Sequence, residues 1–334
     1  MNKLLSIVVP VYKVEPYINK CLDSLVLADE ELMNQLEVII VNDGTPDNSA
    51  EMSREYVKRY PQTFRQIDKE NGGHGSAWNV GLKEATGKYL RFLDSDDWLS
   101  NLEVLMDKLK ELDVDVVVTA LSTFDARKGK SEISFPVKKE GTELSMDSGV
   151  FNAAISNFWY STYKTSLLKP LHPLFLEGVS YDDTILCIVP HICAKSFIAF
   201  EFTLYNYYVG REGQSTDLKV VERKLPDYFK NYQHMLSFIE KTCDGVADDF
   251  VSEVLLYFRW KLFKVVSIIS DYEKSTVYMK EVERLGDLGD LGGKQYKRYK
   301  KMPYKRYYRI ERLRSGIKKI AKNVRDALMY RKND

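Results

Sequence analysis

Cysteine is scarce in this sequence and never closely paired. The four residues, Cys21, Cys187, Cys193 and Cys243, form no C-x-x-C spacing, so reduced, buried thiols are expected. A long apolar run is missing too. The most apolar later stretch, ILCIVPHICAKSFIAF, is broken by Pro190, His191 and Lys195, which argues against a membrane span. Ahead of the first strand pattern there is neither a long apolar segment nor a small-residue cleavage site. No repeat or low-complexity tract stands out. These absences make the cytoplasm the expected compartment.

What is present is a chain of 334 residues, 44% hydrophobic and 29% charged, long enough for a large α/β domain with an accessory region. Its net charge of +1 conceals an asymmetry. Residues 294–334 hold 16 Lys and Arg against three Asp and Glu, leaving 33 against 45 for residues 1–293. A basic end on an acidic body points to a polyanionic surface as partner.

The first 120 residues alternate apolar, β-branched runs with amphipathic stretches. LLSIVVP, LEVIIV, FRQID, KYLRFLD and VDVVVTA read as strands. Between them lie helical patterns, one with Thr45 as N-cap and Pro46 at its first position, another closed by Gly87. Repeated βα units with nearly continuous hydrophobic strands predict a mostly parallel sheet with helices on both faces, followed by a helical C-terminal region. The expected divisions are a catalytic domain over 1–220, a helical region over 221–293 and a basic amphipathic tail over 294–334.

In such sheets ligands bind beyond the carboxyl ends of the strands. The residues there are Pro10-Val11-Tyr12, Asn42-Asp43-Gly44, Asp68-Lys69 and Asp94-Ser95-Asp96-Asp97, and three of the four ends carry acid. Asp94 and Asp96 fall on one face of an extended segment, a pairing that suits a hard divalent cation such as Mg²⁺ or Mn²⁺. An acidic turn with Ser95 and Asp97 capping the next helix is the plainer alternative. Asp43 fits equally a ligand site and an Asx-turn before glycine.

ENGGHGSAWNVG has glycines at 72, 73 and 75 but not the spacing of a dinucleotide fingerprint. A glycine-rich helix entry around Gly73 can still accept phosphate through backbone N–H groups. His74 within it reads as an incidental loop histidine. Asp182 and Asp183 stand at the start of a helical pattern, where the helix dipole favours acids without any function.

Taken in order, SIVVPVYKVEPYINKCLDSL, EVIIVNDGTPDNS, ENGGHGSAWNVGLKEATGKYLRFLDSDDWL and EGVSYDD resemble the family-2 inverting glycosyltransferases, over roughly residues 4–215. The resemblance implies the GT-A fold and a nucleotide-diphosphate sugar donor, most often UDP-linked, bound with Mn²⁺ or Mg²⁺. It implies that Pro10, Val11, Tyr12 and Asp43 hold the nucleoside. Asp94 would lie near ribose and metal, Asp96 on the metal, Asp183 at the position of the catalytic base and Arg211 near the diphosphate. The sequence departs from the family in having Trp78 where many members carry arginine, with Lys69, His74 or Arg211 available to compensate.

The basic tail places Ile310, Leu313, Ile317, Ile320, Val324 and Leu328 at helical spacing. That pattern describes a helix lying on an anionic membrane surface, or one docked on its own acidic domain. Nucleic acid is not expected, because no recognised binding module accompanies the charge. The expected function is metal-dependent, inverting sugar transfer to a glycan or lipid-linked hydroxyl at the inner membrane face, in surface polysaccharide synthesis. The alternatives are a nucleotide-sugar or glycan binding module without turnover, for which Trp78 is the hint, and a nucleotidyltransferase.

Overall fold

The computed structural model describes residues 3–135, 143–144, 158–210, 218–242, 248–286 and 293–309. The first βα units run β1 (Leu5–Val11), α1 (Ile18–Asp23), α2 (Glu30–Gln35), β2 (Leu36–Asn42), α3 (Ser49–Arg59), β3 (Phe64–Asp68), α4 (His74–Glu84) and β4 (Tyr89–Phe92). After them come β5 (Trp98–Leu99), α5 (Leu102–Glu111), β6 (Val116–Asp125), β7 (Lys130–Ser134), β8 (Glu143–Leu144), β9 (Ser161–Lys164), α6 (Thr165–Leu168), α7 (Asp183–Cys193) and β10 (Phe197–Val209). The helical remainder is α8 (Leu218–Arg223), α9 (Leu225–Thr242), α10 (Asp248–Ile268), α11 (Tyr272–Arg284) and α12 (Gly293–Lys300).

The sheet is mixed, in the order β3-β2-β1-β4-β9-β6-β10-β5, with β7 beside β6 and β8 beside β10. Its long pairings, β1 with β2 and β4, β2 with β3 and β6 with β10, are parallel. The shorter strands β5, β7, β8 and β9 pair antiparallel. Every residue of β1 and β2 is buried, as expected of continuous β-branched runs covered on both faces. Gly81 brings α4 close enough to β1 that a Cβ there would collide with Val8.

Two helix starts differ from the sequence expectation. Helix α3 begins at Ser49, because Thr45 spends its hydroxyl on Asp47 Oδ1 (2.6 Å) and accepts from Lys13 N (2.8 Å). The Asp47 carboxylate also takes Glu15 N and Ser49 N, both 3.1–3.2 Å away, tying the loops after β1 and β2 together. The amphipathic stretch EPYINKCLDSLVLA between the first two strands is helical only over Ile18–Asp23, and Asp29 then caps the separate helix α2 by accepting from Leu32 N at 2.9 Å.

The chain divides into two compact units, residues 1–214 with 230–246, and residues 215–229 with 247–334. This is not the serial division expected at 220 and 293. The first part of the basic segment is a packed piece of the second unit and no separate tail. Tyr296, Tyr299 and Tyr307 surround Phe263, while Tyr308 donates to Ile269 O at 3.0 Å. Lys297, Lys300, Lys301, Lys305, Arg306 and Arg309 remain exposed. The stripe from Ile310 onward lies outside the described residues. Among the described residues no helix is long and apolar enough to cross a membrane.

Candidate active site

Strands β3, β2, β1 and β4 run parallel and adjacent, so their carboxyl ends form one edge. Pro10-Val11-Tyr12, Asp43, Lys69 and Asp94 all lie along it. Pro10 and Val11 are buried, whereas Tyr12 is 43% exposed. Asp43 N donates to Val11 O at 3.0 Å and Lys69 N to Asn42 O at 3.0 Å, which fixes these turns to one another.

Asp43 is the hub of the glycine loop. Its Oδ1 accepts from Lys69 Nζ (2.7 Å) and Gly72 N (2.9 Å), and its Oδ2 from Gly73 N (2.8 Å). The Gly73 amide, expected to be open to a phosphate, is therefore engaged by Asp43: a buried carboxylate needs donors, and the loop supplies them. Gly73 has φ of +88°, a conformation that favours glycine, and a Cβ there would stand 3.3 Å from Gly178.

The three clustered acids separate by environment. Asp97 is 1% exposed, accepting from Tyr205 Oη and Tyr208 N, both at 2.7 Å. Burial, reinforced by Asp96 and Asp94, pushes its carboxyl well above the usual range. It fastens the acidic turn to β10 and does not cap the next helix. Asp94 and Asp96 are half-buried on the accessible side. Tyr205 Oη, besides donating to Asp97, accepts from Asp94 N at 3.2 Å.

His74, at the first position of α4, joins two distant acids. Its Nε2 lies 3.1 Å from Asp94 Oδ1 and its Nδ1 3.1 Å from Asp182 Oδ1. Both ring nitrogens thus face carboxylate oxygens, an arrangement that favours the doubly protonated ring. Burial opposes that charge, but Asp182 and Asp94 more than offset it and hold the pKa well above the ordinary value for histidine. The ring also packs on Trp78, with centroids 4.1 Å apart.

Asp182 is 3% exposed at the N-cap of α7, and Asp183, the first helical residue, is half-buried. The chain leading to them is laced to α4. Asn79 Oδ1 accepts from Leu174 N and Phe175 N, both at 3.0 Å, and its amide donates to Phe175 O at 2.8 Å. Gly178 N donates to Gly72 O at 2.7 Å. A Cβ on Gly75 would stand 2.5 Å from Asp182 Oδ2. From α9, Asn231 donates to Ser180 O at 2.7 Å.

From the sequence alone His74 reads as an incidental loop histidine and Asp182 as an acid favoured by the helix dipole. The sequence does not single out Asn79 or Tyr205. The polar run at a helix entry was the one available signal for His74; its partners lie 20 and 108 residues away in the chain. Trp78 is fully buried against Phe92, Phe158 and Phe175, so it has no surface to offer a ligand. Phe158 and Tyr163 are core as well, while the half-buried Trp159 stacks on Tyr207. Arg211 lies outside the described residues. Among those described, no group of three or more His, Cys, Asp or Glu side chains is placed to hold a metal ion.

Residues 6–164 match the model of Glycosyl transferase family 2. The uncharacterized glycosyltransferase EpsJ of Bacillus subtilis is 42% identical over 193 residues, 55% of this chain and 54% of EpsJ. The poly(ribitol-phosphate) β-N-acetylglucosaminyltransferase TarS of Staphylococcus aureus is 28% identical over 63% of this chain and 36% of TarS. The chain thus spans about half of EpsJ and a smaller part of TarS. In fold, the structure of TarS residues 1–349 with UDP-GlcNAc superposes with a TM-score of 0.55 at 20% identity, covering 84% of this chain and 90% of that one. A Pyrobaculum calidifontis mannosyltransferase in complex with GDP-Man and Mn²⁺ gives 0.53 at 17% identity, covering 94% and 88%. The mixed, curled sheet is that of the GT-A fold. Over residues 6–164, just under half of its length, the chain is similar to glycosyl transferase family 2.

Proposed function

We propose that this protein transfers a sugar, with inversion, from a UDP-linked donor to a hydroxyl of a cell-wall or surface polymer. The observation that carries the reading is the single edge on which Asp43, Lys69, Asp94 and Asp96 meet, with the Asp182-Asp183 turn tied to it through His74. Support for the donor class comes from TarS, whose structure contains UDP-GlcNAc, and for a polymer acceptor from its name.

Pro10, Val11, Tyr12 and Asp43 take the nucleoside in this reading. A carboxylate has about four acceptor positions, and the loop uses three of those on Asp43, leaving one for a base N–H. Lys69 and Arg211 are the cations assigned to the diphosphate. Asp94 and Asp96, two oxygen donors on the accessible side, fit a Mn²⁺ or Mg²⁺ ion that completes its shell with phosphate and water oxygens. When bound, that ion offsets the charge gathering on the departing diphosphate. Asp183 is the general base: it removes the proton of the acceptor hydroxyl as that oxygen attacks the anomeric carbon from the side opposite the leaving group.

Purified protein incubated with a panel of nucleotide sugars and Mn²⁺ is expected to release UDP once acceptor is added. A protein that binds donor and releases none is a binding module, and release of pyrophosphate makes it a nucleotidyltransferase.

The reading places the protein against the inner membrane face through its basic end. Full-length protein should sediment with phosphatidylglycerol-rich vesicles at low salt and detach at about 0.5 M salt, where screening is severe. A chain ending at Arg309 should stay largely in the supernatant. Equal sedimentation of the two removes the membrane assignment from residues 310–334.

A further inference from the structure

We propose that His74 is a positioning residue for sugar transfer, a strut that sets the separation between the donor-side acid Asp94 and the turn bearing Asp183. The inference rests on the transferase reading above.

Packing alone does not account for this side chain. A ring packed at a tilt on Trp78 could be any aromatic, and phenylalanine would fill the space. What requires histidine is that both ring nitrogens meet carboxylates from different segments, Asp94 after β4 and Asp182 before α7, each at 3.1 Å. The backbone is shaped for the approach: any side chain at Gly75 would run into Asp182 Oδ2 and Leu176 O. Asp182, with only 4% of its side chain exposed, has His74 as its neighbouring cation. Lysine could bring charge to this place, but not two opposed donors at a fixed span in a flat, rigid ring.

The consequence is geometric. Asp182 and Asp183 are consecutive, so whatever fixes the first fixes where the second enters its helix. Misplacing a reacting group by about 1 Å costs on the order of 10²-fold in rate. Asp43, assigned to the nucleoside, bonds to Lys69, Gly72 and Gly73, and donor affinity should not follow the rate.

The test uses the full-length protein with the donor found active in the panel. His74→Phe keeps the ring on Trp78 and deletes both hydrogen bonds; His74→Gln keeps one donor group. Turnover, donor dissociation constant by calorimetry and unfolding midpoint are measured for each, for Asp182→Asn, and for His74→Phe combined with Asp182→Asn. His74→Phe should lower kcat by about 10²-fold with donor affinity within about threefold, and His74→Gln should recover part of the loss. The double variant should be no slower than the slower single one, because both break the same strut. The proposal is overturned if His74→Phe keeps kcat within about threefold, if the loss lies in donor affinity alone, or if the two losses multiply. Should His74→Phe fail to fold, His74→Gln and Asp182→Asn carry the same decision. Wild-type protein that turns over no donor defeats the transferase reading itself, and does so before any variant is made.

Discussion

Asp183→Asn is expected to lower transfer by about 10³-fold while donor affinity stays within about threefold, in keeping with the 10²–10⁴-fold that a positioned base contributes. The amide is nearly isosteric with the acid but accepts no proton, so the hydroxyl would have to attack without losing its hydrogen. Fold should be little disturbed: Asp183 sits half-buried in the first turn of α7, where loss of a favourable helix-dipole contact costs about 0.3–1 kcal/mol. Calorimetry with UDP, UDP-release kinetics and a melting curve separate these effects. Full activity in the variant would move the base to another residue, with Asp182 the nearest candidate.

Asp96→Asn should abolish measurable transfer, a loss of more than about 10³-fold if the ion carries most of the leaving-group stabilisation. The heat of Mn²⁺ binding in the presence of UDP should vanish with it. Stability should hold or rise slightly. Asp96 is one of the charges that push the buried Asp97 carboxyl upward, so removing it relieves a repulsion. The neighbouring position behaves in the opposite way, since Asp97 anchors Tyr205 and the Tyr208 amide in the interior and its loss should appear as a lower melting temperature. An Asp96→Asn protein with normal turnover would take the acidic pair out of the reaction.

The parallel half of the sheet was legible because each strand announces itself as an unbroken β-branched run and each helix as an apolar stripe; β1, β2, β3 and β4 lie within one or two residues of where the pattern puts them. The crowding of Asp94, Asp96 and Asp97 was legible as a contradiction in the sequence, because three acids at a buried strand end need an explanation. Their division of labour was not. Asp97 turns inward because β10, over a hundred residues later, delivers Tyr205 and Tyr208 to it, and no local rule contains that meeting. His74 failed for the same reason. Its neighbours in sequence are glycines and serine, and the two acids that give it a role arrive from other segments. Trp78 misled in the other direction: a tryptophan in place of an expected arginine suggested a ligand surface, whereas the fold uses it to fill the space between α4, Phe92 and Phe175. The short antiparallel strands β5 and β9, two and four residues long, carry too few residues for a period to show.

The lacing of residues 174–183 to α4 bears on how a substrate can be enclosed. Asn79, Gly72 and His74 bond to parts of that segment, and Gly73 and Gly75 let it approach closely. Prising it from α4 would break several of these contacts at once. The two pieces therefore form one fixed body, and in the transferase reading any closure that expels water would come from a different part of the chain.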